Sequence, residues 1–298
     1  NGADTLMGGV GNDTLDGGNG VDFVAYYNTS GSGVTVNLGT GTATGEGTDT
    51  LSNIEGVIGS IYADTLTGDG SDNGLSGYGG ADSISGGDGN DTLLGGFGND
   101  TLDGGNDVDT VSYLDSLAGV NVNLASGTAS DGFSGTDTIS NVENVLGSNY
   151  NDTITGSSGT NVIEGGEGND TLDGGSGTDT VSYSGATLAV TVSLANGSAQ
   201  NTVGAGTATL SGFENLSGSA YNDNLTGDTP TNVITGGMGN DTLAGAAGDD
   251  IYVYNAGDGD DVITDSAGAD IIKLGSGLTD DDVDFIKDGD DLIIMMDT

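Results

Sequence analysis

Asp82, Asp91, Asp100 and Asp109 follow one another at intervals of nine residues, and each closes a glycine-rich turn: GYGGAD (77–82), GGDGND (86–91), GGFGND (95–100) and GGNDVD (104–109). Carboxylates repeated on a lattice offer hard oxygen ligands. They suit Ca²⁺, which takes six or more oxygens, better than the smaller Mg²⁺. Two residues after each aspartate stands an aliphatic side chain: Ile84, Leu93, Leu102 and Val111. The unit therefore divides into a turn and a three-residue strand (SIS, TLL, TLD, TVS) whose middle side chain points inward and whose neighbours point outward. Two units make one coil of eighteen residues, so residue i lies over residue i+18. Parallel strands of adjacent coils lie about 4.8 Å apart. Asp82 is expected to stack over Asp100 and Asp91 over Asp109, and such like charges repel unless a cation lies between them.

The lattice extends along most of the chain. It opens with Asp4, Asp13 and Asp22, with Leu6, Leu15 and Val24 inward. It breaks and resumes as Asp64, Asn73, Asp82, Asp91, Asp100, Asp109, then as Asp152, Asn161, Asp170, Asp179, then as Asp223, Asn232, Asp241, Asp250. Asp261 and Asp270 keep the same interval. The second member of each resumed run is Asn, which offers a neutral carbonyl and no charge. Pairs such as Asn161–Asp179 are therefore expected to bind Ca²⁺ weakly or not at all. The better sites are expected at Asp64–Asp82, Asp82–Asp100, Asp91–Asp109, Asp152–Asp170 and Asp223–Asp241.

The three breaks are copies of one another, at about 25–62, 112–150 and 182–221. They carry Tyr26, Tyr113 and Tyr183, then VTVNL (34–38), VNVNL (120–124) and VTVSL (190–194), whose alternation reads as half-buried strand. TDTL (48–51), TDTI (136–139) and TATL (207–210) follow, then NIEGVIGS (53–60), NVENVLGS (141–148) and GFENLSGS (212–219), which we also read as strand. The inserts are expected to be wider coils of the same solenoid; the alternative is a small β-meander bulging from it. The tyrosines read as packing residues, although a recurrent surface tyrosine could contact sugar or a protein.

The unit GGxGxDxUx, with U aliphatic, is the nonapeptide of calcium-binding parallel β-rolls. The chain thus resembles the repeats-in-toxin family, the haemolysin-type calcium-binding repeats. The resemblance implies an all-β fold: a right-handed parallel β-roll or β-helix solenoid stacked by calcium, over residues 1–255. Residues 256–298 resemble the C-terminal extension that follows such repeats. By resemblance each ion takes the aspartates of two stacked turns plus main-chain carbonyls, here Gly9, Gly11, Gly18, Gly20, Gly87, Gly89, Gly96, Gly98, Gly166, Gly168, Gly237 and Gly239. It further implies export as an unfolded chain by a type I secretion system and folding in external calcium, at the surface of a bacterium or beyond it. The expected parent is an adhesin, surface-layer or matrix protein. Alternatives are the tail of a secreted protease, lipase or alginate epimerase, or a polysaccharide-binding module. Expected partners are calcium and, beyond it, cell-surface polysaccharide or further copies of the chain.

Composition narrows the classes. Among 298 residues there are 60 Gly, 1 Pro and no Cys, His or Trp, and Lys273 and Lys287 oppose 46 acidic residues for a net charge of −44. That charge argues against nucleic acid and anionic membranes as partners. No apolar run is long enough to span a membrane as a helix. Asn1 falls inside a repeat, so the chain reads as a fragment or processed piece. One aliphatic anchor per nine residues is little to set against the entropy of ordering a turn rich in glycine. Metal binding is the remaining source, because its free energy becomes folding free energy when the unfolded chain has no site. Without calcium, disorder is expected.

Catalytic readings fare poorly. Without His or Cys there is no Ser-His-Asp or Cys-His arrangement and no zinc set. No Lys follows the glycine-rich strings as a phosphate loop requires. The Asp-Gly cluster at 288–291 lacks the closing Glu of an EF-hand. Paired carboxylates hydrolyse glycosides as one tuned pair, whereas these form a regular lattice. Asp288-Gly289 between two apolar runs reads as a hairpin turn, and LIIMM (292–296) as a strand that would be an aggregation-prone edge if left unpaired, so further chain or a partner is expected to meet it.

Overall fold

The computed structural model describes residues 2–29, 31–279, 282–288 and 291–296, with backbone alone from residue 287 on. Among them every regular element is a strand, most of three residues. The chain divides into two compact units, Asn1–Ser148 and Asn149–Thr298.

In the first unit successive triplets alternate between two sheets, and each pairs in parallel with the triplet one coil on. Ser83↔Thr101 and Ile84↔Leu102 set one ladder, and Thr92↔Thr110 and Leu93↔Val111 the other. The middle residue of each triplet faces the interior. Leu66, Ile84, Leu102 and Ile139 form one buried row, and Val57, Leu75, Leu93, Val111 and Val145 the facing row. Period-two alternation puts one apolar side chain of each triplet inside and its polar neighbours in water.

Each insert keeps the solenoid on one side and elaborates it on the other. In the first, Phe23–Ala25 pairs in parallel with Gly56–Ile58, so that sheet continues unbroken. In the other sheet Thr35–Asn37, Thr42–Thr44 and Thr48–Ser52 form an antiparallel meander. Its outer strands pair in parallel with neighbouring coils, Thr48–Ser52 with Thr14–Asp16 and Thr35–Asn37 with Thr65–Thr67. The insert is thus a wider coil whose wide side is a meander set edge to edge into the sheet. Val36 and Ala43 continue the buried row, which holds the meander in plane.

The second unit repeats this plan. Ile154, Leu172 and Leu210 make one row, Val192, Leu225 and Leu243 another, and Ile163, Val181, Leu216, Ile234 and Tyr252 the facing one. Its insert pairs Gln200–Val203 with Gly206–Ser211, while Val190 meets Val203 by a single bridge.

The C-terminal apolar run finds its pairing partners within the chain itself. Val283–Asp288 and Asp291–Met296 form an antiparallel hairpin, and Asp291–Met296 also pairs with Asp261–Ile263. Leu292, Ile293 and Ile294 are therefore paired on both sides, and Met295 and Met296 on one; Val283–Asp288 lies outermost in the sheet order. Gly289 of the expected turn lies outside the described residues.

Because Leu102 is fully buried between Ile84 and Ile139, Leu102→Ala is expected to cost about 2–5 kcal/mol in the calcium-loaded chain. Thr101→Ala, on the outward position, should stay within about 0.5 kcal/mol. Denaturant unfolding of both variants checks this.

Candidate metal centre

The aspartates stack at the expected interval, and a hydrogen bond fixes each step. The backbone N–H of one aspartate donates to Oδ1 of the aspartate one coil on. Asp4 donates to Asp22 at 2.7 Å, and Asp64 to Asp82, Asp82 to Asp100, Asp91 to Asp109 and Asp223 to Asp241 at 2.8 Å. Asp152 donates to Asp170 at 3.0 Å. In the last coil the interval lengthens to 20 residues: Asp241 donates to Asp261 at 2.9 Å and Asp250 to Asp270 at 3.0 Å.

The second oxygen is different. Oδ2 of Asp13, Asp22, Asp82, Asp91, Asp100, Asp109, Asp131, Asp179, Asp241 and Asp250 is buried with no hydrogen-bond partner. Buried polar groups are nearly always paired, and a buried carboxylate oxygen without a donor is costly. A Cβ placed on Gly86 would meet Asp91 Oδ2 and, at 2.5 Å, the Gly104 carbonyl oxygen one coil on. On Gly77 it would meet Asp82 Oδ2 and, at 2.7 Å, the Gly95 carbonyl. The absent side chain leaves a cradle walled by carboxylate and carbonyl oxygens, the donor set of Ca²⁺. The twelve glycines expected to offer carbonyls all have positive φ. The carbonyls beside these two unpaired oxygens belong instead to the first glycine of the turn one coil on. Gly87 and Gly168 spend their carbonyl oxygens on Asn106 N–H at 2.8 Å and Thr207 N–H at 2.9 Å.

At the inserts the chain supplies its own donors. Asp49 takes the stacking place over Asp13, accepting its N–H at 3.0 Å, and the buried Tyr26 hydroxyl donates to Asp49 Oδ2 at 3.2 Å. Asp137 does the same over Asp100 at 3.1 Å, with Tyr113 donating to its Oδ2 at 3.1 Å. In the third copy Ala208 stands opposite Asp170, and the Tyr183 hydroxyl has no partner. The tyrosines are thus packing residues. Tyr113 and Tyr183 are 3% and 5% exposed, which removes them as a sugar-binding surface.

On the other side of the coil a glutamate reaches across each insert. Glu55, Glu143 and Glu214 accept the N–H of Asp22, Asp109 and Asp179 at 2.8, 3.0 and 2.9 Å. The Asn rungs follow. Asn73 and Asn232 accept the N–H of Asp69 and Asp228 and donate their amide to the Glu55 and Glu214 carbonyls, at 3.3 and 2.7 Å. The Asn amide brings a donor to its rung, which an ionised carboxylate cannot do. Ser60 and Ser219 donate likewise, by N–H and hydroxyl, to Asp64 and Asp223. Asp137 and the three glutamates escaped the sequence reading because they lie off the nine-residue interval, and Asp49, 36 residues from Asp13, because it stands inside a break of the repeat. Their signal was the recurrence of TDT and of the glutamate in NIE, NVE and FEN.

Burial, opposed by the backbone hydrogen bond and reinforced by neighbouring carboxylates, holds nine of the lattice aspartates above their usual range. Asp82 rises to about 8, Asp91 and Asp100 to about 6, and Asp170, Asp241 and Asp261 to about 7. Asp109, Asp179 and Asp250 are raised for the same first cause.

The RTX calcium-binding nonapeptide repeat family matches residues 1–26, 57–84, 76–111, 146–181, 217–252 and 253–277, together more than half of the chain. No curated protein matches it.

Two predictions follow from this geometry. Unfolded aspartates titrate near pH 4, so folded values of about 6–8 favour the metal-free fold in acid and withdraw that support as pH rises through this window. Acidifying the calcium-free chain from about pH 8.5 to about 5 should raise its β signal in circular dichroism, while calcium affinity falls over the same range as protons compete. Tyr113→Phe should cost about 1–3 kcal/mol by leaving Asp137 Oδ2 without its donor. Tyr183→Phe, which removes an unpartnered hydroxyl, should cost nothing or stabilise; denaturant unfolding in calcium compares the two.

Proposed function

Because the chain belongs to the RTX calcium-binding nonapeptide repeat family, we propose that this calcium-binding module passes through a type I secretion system unfolded and takes its shape outside the cell, as a structural part of an adhesin, surface-layer or matrix protein. The observation that carries the reading is the set of ten buried aspartate oxygens without a donor among the described residues, nine of them on the lattice. Two lysines cannot neutralise 46 acidic residues. In low calcium that charge opposes compaction and keeps the chain extended. In external calcium the ions occupy the oxygen cradles and their binding free energy becomes folding free energy. Sites of about 10⁻⁴–10⁻³ M affinity fill outside cells and stay empty inside. Residues 256–298 are read as the extension that follows the repeats, with the repeat match itself running on to residue 277. The carboxylates recur as a lattice with one geometry, which favours a structural role over a reacting pair.

Circular dichroism across a calcium titration, with Mg²⁺ as control, tests the reading. A cooperative gain of β signal at sub-millimolar to millimolar Ca²⁺ but not Mg²⁺ is expected. A β spectrum insensitive to calcium would overturn it.

A further inference from the structure

The coil that ends at Asp270 departs from the others in one residue type. Most turns open with glycine, as at Gly77, Gly86, Gly95, Gly236 and Gly245; the turn closing on Asp261 opens with Ala256, and the turn closing on Asp270 opens with Asp265. A carboxylate therefore enters at a position where most turns carry no side chain. Asp250, Asp265 and Asp270 each place a carboxylate oxygen within 4.8 Å of the other two, the one group of three so close among the described residues. Asp250 is 0% exposed and its Oδ2 has no partner.

Tyr252 joins the same cluster. It occupies the inward position that Ile234 holds one coil before, so its ring lies in the core and its hydroxyl emerges at the turn. The hydroxyl accepts Gly245 N–H at 2.5 Å and donates to Asp265 Oδ2. A Cβ on Gly245 would meet both Asp250 Oδ2 and this hydroxyl, so the two face one cradle. Asp265 Oδ1 accepts Ser266 N–H at 2.6 Å and Ala267 N–H at 3.3 Å. A carboxylate offers about four lone-pair directions, so these donors fix its orientation and leave it able to bind an ion.

We propose that Asp250, Asp265 and Asp270, with Tyr252 as the positioning residue for Asp265, form a three-carboxylate site for a hard cation that binds Ca²⁺ more tightly than the stacked pairs and fills before them. The proposal rests on the calcium reading above and adds a ligand outside the nonapeptide aspartates. Affinity for Ca²⁺ rises with the number of ligand charges and with site rigidity, and this site has both an added charge and a fixed carboxylate. A trivalent lanthanide gains still more from a third charge.

Calorimetric titration of the full chain with Ca²⁺, repeated with Tb³⁺, tests it. Asp265→Asn and Asp270→Asn should each weaken the tightest phase by about tenfold or more, while the weaker phases and the calcium-induced β signal persist. Tyr252→Phe should weaken the same phase less. Asp284→Asn, an equal loss of charge at an exposed position, should leave it unchanged. If the tightest phase survives both Asp265→Asn and Asp270→Asn, or moves equally in Asp284→Asn, the three-carboxylate site is wrong although the chain still binds calcium. Absence of any calcium binding would overturn both this site and the function proposed above.

Discussion

Aspartate stacked over aspartate, one coil apart, is the constraint on which the rest of the structure depends. Each aspartate spends Oδ1 on the backbone N–H of the coil before it, as Asp100 does for Asp82. That bond fixes the register of neighbouring coils and draws the carboxylate out of water. Oδ2 is left beside other oxygens, and the cost of burying a charge without a donor falls on every rung of this kind. A bare first glycine, a positive-φ turn and a divalent cation follow together. The glycine makes room, the turn aims carbonyls inward, and the cation satisfies oxygens the chain leaves unpaired.

The inserts show the same problem solved without metal. Tyr26 and Tyr113 donate to the insert aspartates, Ser60 and Ser219 to the first aspartates after the inserts, and Asn73 and Asn232 carry their own amide donor. The oxygens without donors lie mainly in the nonapeptide runs between. The chain thus alternates rungs that complete themselves with rungs whose second oxygen finds no donor in the chain. The third insert breaks one part of this scheme. Ala208 removes the carboxylate, the parallel ladder extends to Asn169↔Thr207, and Tyr183 keeps a hydroxyl with nothing to bond.

The apolar core is thin by comparison. One buried aliphatic side chain per triplet makes narrow rows such as Leu75, Leu93 and Val111. Rows of this kind set the inward face and the register, since a slip by one residue would turn every anchor to water. They share the work of closing the coil with the turns. The last coils change the balance: Tyr252 and Tyr254 enter the core, the interval lengthens to 20 residues, and an antiparallel hairpin covers the Asp261–Ile263 strand.

The sequence by itself determined the period. Nine-residue spacing of Asp82 to Asp109, with Ile84 to Val111 two residues behind, settles the coil, the triplet strands and the stacking partners, because a strictly repeated chain has one way to bury every anchor at once. The tertiary structure decided what happens where the repeat stops. Tyr113 meets Asp137 across 24 residues, and Glu143 reaches Asp109 across 34. No local spacing encodes those meetings, since they depend on a meander lying in the plane of the sheet rather than bulging from it. The same holds at the end of the chain, where Leu292, Ile293 and Ile294 are paired on both sides because the hairpin folds back onto Asp261–Ile263. Periodicity is a local property and is legible in residue order. A hydrogen bond that completes a buried carboxylate is a property of position in space, and the fold must exist before its donor arrives.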